Sequence, residues 1–206
     1  MKTLIAAALA AFTLGSAAQA TTIYADAVDW QNNGTVGSSN NRDNPLNALG
    51  APDGSFLALG LTNADGSNPG FAVFSFGASV VTGPATVWEV TFNCRQQQDG
   101  SCSYPESVDV YYGTDYAFGS NDFSDLSDFT FAGTLFNGDA NSGASVIVND
   151  VFRYIALVDA SKRDYPNGPS TDGFDVDSVS VAAVPIPAAA LLFAPVAFAL
   201  RRRAKK

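Results

Sequence analysis

The sequence predicts an all-β fold, a β-sandwich made of two sheets. Short apolar or alternating runs, bounded by Gly, Asn, Asp, Ser or Pro, recur from residue 21 to residue 183, and no long window has the apolar spacing of an amphipathic helix. Alternating runs bury one face of a sheet and leave the other in water. We therefore expect two sheets packed face to face rather than a sheet covered by helices.

Nine strands are predicted in this region. Their ranges are 23–28, 56–61, 72–76, 86–92, 107–112, 129–135, 144–148, 154–159 and 174–182. In the fourth strand Trp88, Val90 and Phe92 are expected to share one face, and in the fifth Val108, Val110 and Tyr112, so that one face of each strand is buried. The turn-rich segments 31–44, 63–70, 113–128 and 162–173 are longer than hairpin loops. Such loops gather at the ends of a sandwich and carry its function.

The N-terminus has the three parts of a secretory signal peptide. Lys2 precedes an apolar run from residue 4 to residue 14, and Ala18-Gln19-Ala20 is a small-x-small cleavage site. The domain organisation predicted from the sequence is therefore a signal peptide at 1–20, an ectodomain at 21–183 and a C-terminal segment at 184–206.

The C-terminal segment contains a proline motif, an apolar block and a basic cluster, in that order. The motif is Val184, Pro185, Ile186, Pro187 and Ala188, and the cluster contains Arg201, Arg202 and Arg203. A helix over the apolar block, 188–200, would be about 20 Å long, against roughly 30 Å of bilayer hydrocarbon. It is therefore a marginal transmembrane helix, and the positive-inside bias would keep the basic cluster in the cytoplasm.

This arrangement closely resembles the PEP-CTERM sorting signals of Gram-negative bacteria. The best match is the variant named for Val-Pro-Leu-Pro-Ala (VPLPA-CTERM), from which the motif differs by Ile186 in place of Leu. The resemblance implies an exosortase-type processing enzyme as partner, transient anchoring in the inner membrane, and a mature protein at the cell surface or in the extracellular matrix. The alternative is a plain membrane-anchored structural protein whose tail is not cleaved.

Charge and cysteine content narrow the environment and the partners. Without the two terminal segments, five basic residues remain against all 20 acidic residues, a net charge of −15. Nucleic acid and anionic lipid are poor partners for such a surface, whereas divalent cations and neutral polysaccharide are better ones.

Export would place Cys94 and Cys102 in an oxidising compartment, where a disulfide between them is expected. A zinc site is disfavoured because the chain has no His.

Two loop motifs resemble those of extracellular bacterial domains built as galactose-binding-like jelly rolls. One is Asn-Ala-Leu-Gly-Ala-Pro-Asp-Gly at 47–54, and the other is Asp-Gly-Phe-Asp-Val-Asp at 172–177. The resemblance implies a jelly-roll sandwich, a structural calcium ion (Ca2+) in many members and a glycan site in some. The first motif is explained equally well by a tight turn at Pro52-Asp53-Gly54 that needs no ligand.

The candidate calcium ligands are Asp53, Asp175 and Asp177, with Asn47 as a weaker candidate. Because Val179 and Val181 belong to the core phase of the last strand, strict alternation turns Asp175 and Asp177 the same way. A hard cation would neutralise carboxylates held there.

The alternative to this calcium site is a β-bulge near Ser178. It would bury Phe174 and Val176 and leave both aspartates in solvent.

Most catalytic arrangements are excluded by the residues that the chain lacks. Without His, the usual triads, zinc hydrolase sites and His-based acid catalysis are absent in their ordinary forms. A carboxylate pair of the glycoside hydrolase type remains, and Glu89 and Glu106 are the only glutamates, but an exposed strand face explains them as well. The sequence therefore predicts an exported, non-catalytic sandwich of the envelope or exopolysaccharide matrix, with a carbohydrate-active enzyme as the competing class.

Overall fold

The two-sheet sandwich predicted from the sequence is confirmed. The structure is a computed structural model that describes residues 21–77, 81–90, 103–140 and 143–183. The strands are β1 (Thr21–Tyr24), β2 (Ala27–Trp30), β3 (Leu57–Ala58), β4 (Phe71–Ser75), β5 (Ala85–Glu89), β6 (Ser107–Gly113), β7 (Thr130–Phe136), β8 (Ala144–Val146), β9 (Tyr154–Asp159) and β10 (Asp175–Ala183). Short helices are α1 (Asn137–Ala140) and α2 (Ser161–Asp164), with 3-10 turns at Ser39–Asn41, Pro45–Ala48 and Phe123–Asp128.

Each sheet contains five strands. The first has the order β1-β10-β5-β8, with β3 also paired to β10, and the second has the order β2-β4-β9-β6-β7. Val87 pairs with Val179 in the first sheet, and Val110 pairs with Leu157 in the second. These residues are fully buried in one apolar cluster between the sheets, as alternation along each strand predicts.

The predicted strand 23–28 is wrong as a single strand, because the chain changes sheets within it. The backbone N–H of Ala25 donates to Val179 O of the first sheet at 2.9 Å, whereas that of Asp26 donates to Ser75 O of the second sheet at 3.0 Å. The crossing divides the run into β1 and β2, one in each sheet. The apolar pattern continues across the crossing because both halves border the same core.

The predicted phase of β5 is also wrong for Trp88 and Val90, and Phe92 lies outside the described residues. Ala85 and Val87 are fully buried in the core, whereas Trp88 is half-buried and lies beside Tyr24 with ring centroids 6.1 Å apart. Both phases of this strand carry apolar residues, so alternation alone did not decide which phase is buried. The prediction for the fifth strand is confirmed, since Val108 and Val110 are fully buried and Tyr112 is half-buried against the same core.

A second apolar cluster lies on the outer face of the second sheet. Val73 and Val158 project there from neighbouring strands, and Tyr116, Leu126 and Phe129 cover them from the segment between β6 and β7. The carboxylate of Asp29 holds this covering segment, accepting from Tyr116 Oη at 2.9 Å and from the backbone N–H of Gly119 at 2.7 Å. This long loop therefore packs against the outer face of the second sheet and covers it.

Strand pairing gathers the other long connections at one end of the sandwich. Glu89 at the end of β5 is opposite Val176 near the start of β10, and Ser107 at the start of β6 is opposite Phe136 at the end of β7. We call this the loop end: β5, β7 and β9 end there, and β6 and β10 begin there.

Several sequence predictions lie outside the described residues and stay predictions. They are the signal peptide at 1–20, the disulfide between Cys94 and Cys102, and the C-terminal segment at 184–206 with its sorting motif and apolar helix. Within the ranges that the structure describes, no helix has the length and apolar character needed to cross a membrane.

Candidate functional site

A cleft of about 200 Å³ opens at the loop end. Its residues come from the connections before β3, β6 and β10, from the first residue of β10 and from Asn137, directly after β7. The residues that define it are Arg42, Tyr104, Glu106, Ser170, Asp172 and Asp175. We call it the acidic cleft.

Backbone hydrogen bonds fix the walls of the acidic cleft. Asn137 follows β7 directly, and its N–H donates to Glu106 O at 3.1 Å while its side-chain Nδ2 donates to Tyr104 O at 2.7 Å. On the opposite wall the N–H of Gly60 donates to Asp172 O at 2.9 Å. The cleft is therefore built on strand ends rather than on an unsupported loop.

Two carboxyl groups in the cleft are buried. Glu106 and Asp175 are each only 6% exposed. Burial raises the pKa of Glu106 to about 10, with the charge of Asp175 adding to the rise and a hydrogen bond with Ser170 opposing it. Burial also raises the pKa of Asp175 to about 8, with the charge of Asp172 adding and that of Arg42 opposing.

One oxygen in the cleft has no hydrogen-bond partner. Asp175 Oδ1 is buried and unpaired. Arg42, the one cation among the cleft residues that the structure describes, is paired with Asp172, and its guanidinium lies 5.6 Å from the ring centroid of Phe56. Among its described residues the cleft therefore has three carboxyl groups and one cation.

The last strand contains the bulge that was the alternative to strict alternation. Its register against β5 shifts between Val176 and Ser178. Phe174 and Val176 are fully buried in the core together with Val179. The bulge prediction is thus confirmed.

The solvent exposure expected for the two aspartates with that bulge is wrong. Asp175 is 6% and Asp177 7% exposed, because loops cover the outer face of the first sheet at this point. Asp175 faces the acidic cleft, and Asp177 faces the turn that contains Asp53.

The four predicted calcium ligands do not converge on one point. The carboxylate of Asp177 accepts from the backbone N–H groups of Asp53 at 3.0 Å and Gly54 at 3.2 Å. The carboxylate of Asp53 accepts from Ser55 N at 2.8 Å, and Asn47 Nδ2 donates to Phe56 O at 3.0 Å. Among the residues described, no three acidic or Cys side chains are grouped to hold a metal ion. The calcium site stays a prediction, and turn amides account for Asp177 without one.

Sequence reasoning missed the burial of both glutamates. Glu89 and Glu106 are 3% and 6% exposed rather than on a wet face. Glu89 shares the buried phase of Ala85 and Val87, which was the signal available. Arg42 and Ser170 had no signal, because each comes from a long turn-rich loop whose path the sequence does not specify.

A second depression at the loop end, of about 140 Å³, has its charges already paired. Arg163 forms an ion pair with Asp109 across it. Asp159 accepts from the N–H groups of Thr62 at 2.8 Å and Phe174 at 3.2 Å, which opposes the burial that raises its pKa to about 6. These groups are used in holding the loops together, so the acidic cleft is the better candidate site.

Three solved structures are similar to this chain at low sequence identity. A CBM32 of AlyQ in complex with 4,5-unsaturated mannuronic acid has 14% identity and a TM-score of 0.41, over 78% of this chain and 97% of that one. A pectin binding carbohydrate binding module has 9% identity and a TM-score of 0.48, over 80% of this chain and 94% of that one.

The third is a longer protein, a truncated AlyQ with CBM32 and alginate lyase domains. It has 15% identity and a TM-score of 0.41 over 80% of this chain, and this chain spans 34% of its length. No protein-family model and no curated protein matches the sequence. The likenesses concern the fold alone.

Proposed function

We propose that this chain is a non-catalytic, carbohydrate-binding β-sandwich and that the acidic cleft holds a sugar residue or the end of a glycan chain. The observation that carries the proposal is an exposed aromatic beside charged groups in a concave site: Tyr104, 43% exposed, lines the cleft with Arg42 and Asp172. The apolar face of a sugar ring can pack on the phenol, while its hydroxyl groups exchange hydrogen bonds with the polar side chains.

The size of the cleft limits the ligand. Pockets that enclose drug-sized molecules measure about 300–1,000 Å³. A cleft of about 200 Å³ is smaller than these and suits one sugar ring rather than a long polymer segment.

A carbohydrate-active enzyme is the second candidate, because Glu106 and Asp175 share the cleft as an acid and a base would. The pKa of Glu106 is raised to about 10 and that of Asp175 to about 8, so neither is mainly ionised at neutral pH. The third carboxylate, Asp172, is paired with Arg42. This leaves no free ionised base or nucleophile among the three, which favours binding without hydrolysis.

The proposal places the sandwich outside the cell, at the surface or in the exopolysaccharide matrix of a Gram-negative bacterium. Its support is the sequence alone: the signal peptide at 1–20, the sorting motif at 184–188 and the basic cluster at 201–203. A structural calcium ion and a disulfide between Cys94 and Cys102 are part of the same proposal. Extracellular polysaccharide would then be the partner within reach.

Affinity electrophoresis through gels containing neutral, acidic or amino polysaccharides tests the proposed function. We expect at least one polysaccharide to retard the protein, and Tyr104→Ala to weaken that binding roughly three- to tenfold through loss of ring packing. Phe131→Ala is the matched control, because Phe131 is an exposed aromatic that does not line the cleft. Equal weakening by both variants, or release of reducing ends from any polysaccharide, would contradict the proposal.

A further inference from the structure

The acidic cleft lacks a cation that would balance its carboxyl groups. Glu106, Asp172 and Asp175 line it, and the single guanidinium of Arg42 is already paired with Asp172. Among the described residues neither Glu106 nor Asp175 forms an ion pair, and Arg42 acts on Asp175 only through its charge. A buried carboxylate is stable only when it is paired and hydrogen-bonded.

Asp175 adds an independent observation. Its Oδ1 atom is buried and accepts no hydrogen bond, although the side chain lines an open cleft. Buried polar atoms in native proteins nearly always have a partner, and an unsatisfied one needs an explanation. A ligand that brings an N–H or O–H donor to this oxygen would supply the missing partner.

Three kinds of ligand could supply that donor or charge, and the geometry favours one. A neutral hydroxyl group can donate to Asp175 but brings no positive charge to the two carboxyl groups. A divalent cation needs several converging oxygen ligands, and the described residues contain no group of three acidic side chains placed for a metal. An ammonium group carries one charge and three donors, and therefore meets both needs.

We propose that the acidic cleft selects sugars that carry a free primary amine, with the ammonium group hydrogen-bonded by Glu106 and Asp175. The inference rests on the proposed function, because it names the ligand class of the same cleft. A cation in contact with a carboxylate lowers the pKa of that carboxylate, so an ammonium group also stabilises the ionised forms of two groups that burial keeps protonated when the cleft is empty.

Three β-1,4-linked tetrasaccharides that differ only at C2 isolate this group: those of glucosamine (amine), glucose (hydroxyl) and N-acetylglucosamine (acetamide). Calorimetric titration of the full chain at about pH 6 and low salt keeps the amine charged. Because a hydrogen bond to a charged group is worth more than a neutral one, we expect the amine tetramer to bind about ten- to a hundredfold more tightly than the hydroxyl tetramer. Added salt should weaken binding of the amine tetramer alone.

Isosteric variants assign the preference to the two side chains. Glu106→Gln and Asp175→Asn should each reduce the ratio of amine to hydroxyl affinity about tenfold, because each removes a carboxylate that the ammonium group needs and the hydroxyl group does not. Asp150→Asn removes one exposed carboxylate that does not line the cleft, and it should leave the ratio unchanged. If a cleft variant fails to fold, the comparison among the three tetramers on the unaltered chain still decides the matter.

The outcomes separate this inference from the proposed function. Equal affinity for the amine and hydroxyl tetramers, or a preference that survives in both cleft variants, overturns the inference and leaves glycan binding intact. Calcium titrated alone and bound through Asp175, with no amine preference, overturns it in favour of a metal site. If no tetramer binds, the inference fails. If the polysaccharide gels also show no retardation, the proposed function fails with it.

Discussion

Glu106 is the residue whose placement is most costly in the cleft. Its carboxyl group is buried, the charge of Asp175 opposes its ionisation, and its described favourable contact is a hydrogen bond with Ser170. A neutral amide of the same shape would avoid the cost of ionising the group. Functional sites are where proteins retain groups that lower stability.

The pKa of Glu106 therefore predicts a pH-dependent stability. Its pKa is raised from 4.5 in the unfolded chain to about 10 in the folded one, so between these values the folded state binds more protons. The contribution of Glu106 to the unfolding free energy should be fully present below about pH 4.5. It should fall as pH rises toward 10, by up to about 1.4 kcal/mol per pH unit. At pH 8 we expect the unfolding free energy of Glu106→Gln to exceed that of the unaltered chain by roughly 1–3 kcal/mol. The variant should therefore unfold at a higher denaturant concentration.

Chemical unfolding at pH 4, 6 and 8 measures this difference. The two proteins should be similar at pH 4 and diverge above it, with a residual decline in the variant from Asp175, whose raised pKa has the same sign. Asp150→Asn, at an exposed site, should keep the full slope. Parallel stability curves for the Glu106→Gln and unaltered proteins would show that Glu106 is ionised at little cost.

Sequence reasoning at the residue scale identified carboxylates but not their environments. It named Asp175 and Asp177 from a motif, and the structure gives them different partners, a cleft and a turn. The difference depends on loops before β3 and β10 whose paths carry no periodic signal. Arg42 illustrates the same limit, since a lone basic residue in a turn-rich segment does not reveal that it will pair with Asp172, 130 positions away.

The bulge in β10 determines which side chains of this strand enter the core and which face outward. By inserting one residue between Val176 and Ser178, it allows Phe174 and Val176 to enter the same core as Val179. Asp177 is thereby directed to the outer side, where its two oxygens accept from the N–H groups of the turn at Asp53 and Gly54. The strand and the first loop motif are thus joined by a carboxylate and two amides.

Asp177→Asn tests whether this link, rather than an ion, supports the turn. The amide can accept only one of the two bonds and leaves a partly buried N–H unsatisfied, so we expect a loss of about 1–3 kcal/mol in unfolding free energy. Asp53→Asn is the control and should cost little, because its carboxylate is exposed and accepts locally from Ser55.

Thermal unfolding with calcium and with a chelator distinguishes the two explanations for Asp177, which are the turn amides and a bound ion. If the turn amides suffice, the unfolding midpoint should be the same in calcium as in the chelator. A midpoint that rises with calcium, and that stops rising in Asp177→Asn, would instead establish the predicted ion, since a ligand bound only by the folded state raises its stability.

At the scale of elements, periodicity predicted the strands better than their boundaries. All nine predicted strands overlap described strands, because alternation and turn residues are local signals. The division of 23–28 between two sheets and the short β3 were not predictable in this way. Which sheet a residue joins is decided by partners such as Val179 and Ser75, which are far along the chain.

For the molecule as a whole, the charge distribution complements the ligand class proposed for the cleft. Residues 21–183, with a net charge of −15, repel anionic polymers and attract cationic ones over a distance set by salt. A polysaccharide with free amines would be drawn to the whole surface and held at the cleft. Binding to such a polymer should therefore lose affinity with salt faster than one ion pair alone would explain.

We predict that the C-terminal segment, 184–206, determines whether the protein remains on a membrane. The motif at 184–188 precedes an apolar block too short to span a bilayer comfortably and a basic cluster that would stay in the cytoplasm. If an exosortase-type enzyme reads this signal, protein purified from its native host should lack residues 201–206. Intact-mass analysis of surface material decides this, with protein from a host that has no such enzyme as the uncleaved reference. A full-length C-terminus at the native surface would leave a plain membrane anchor.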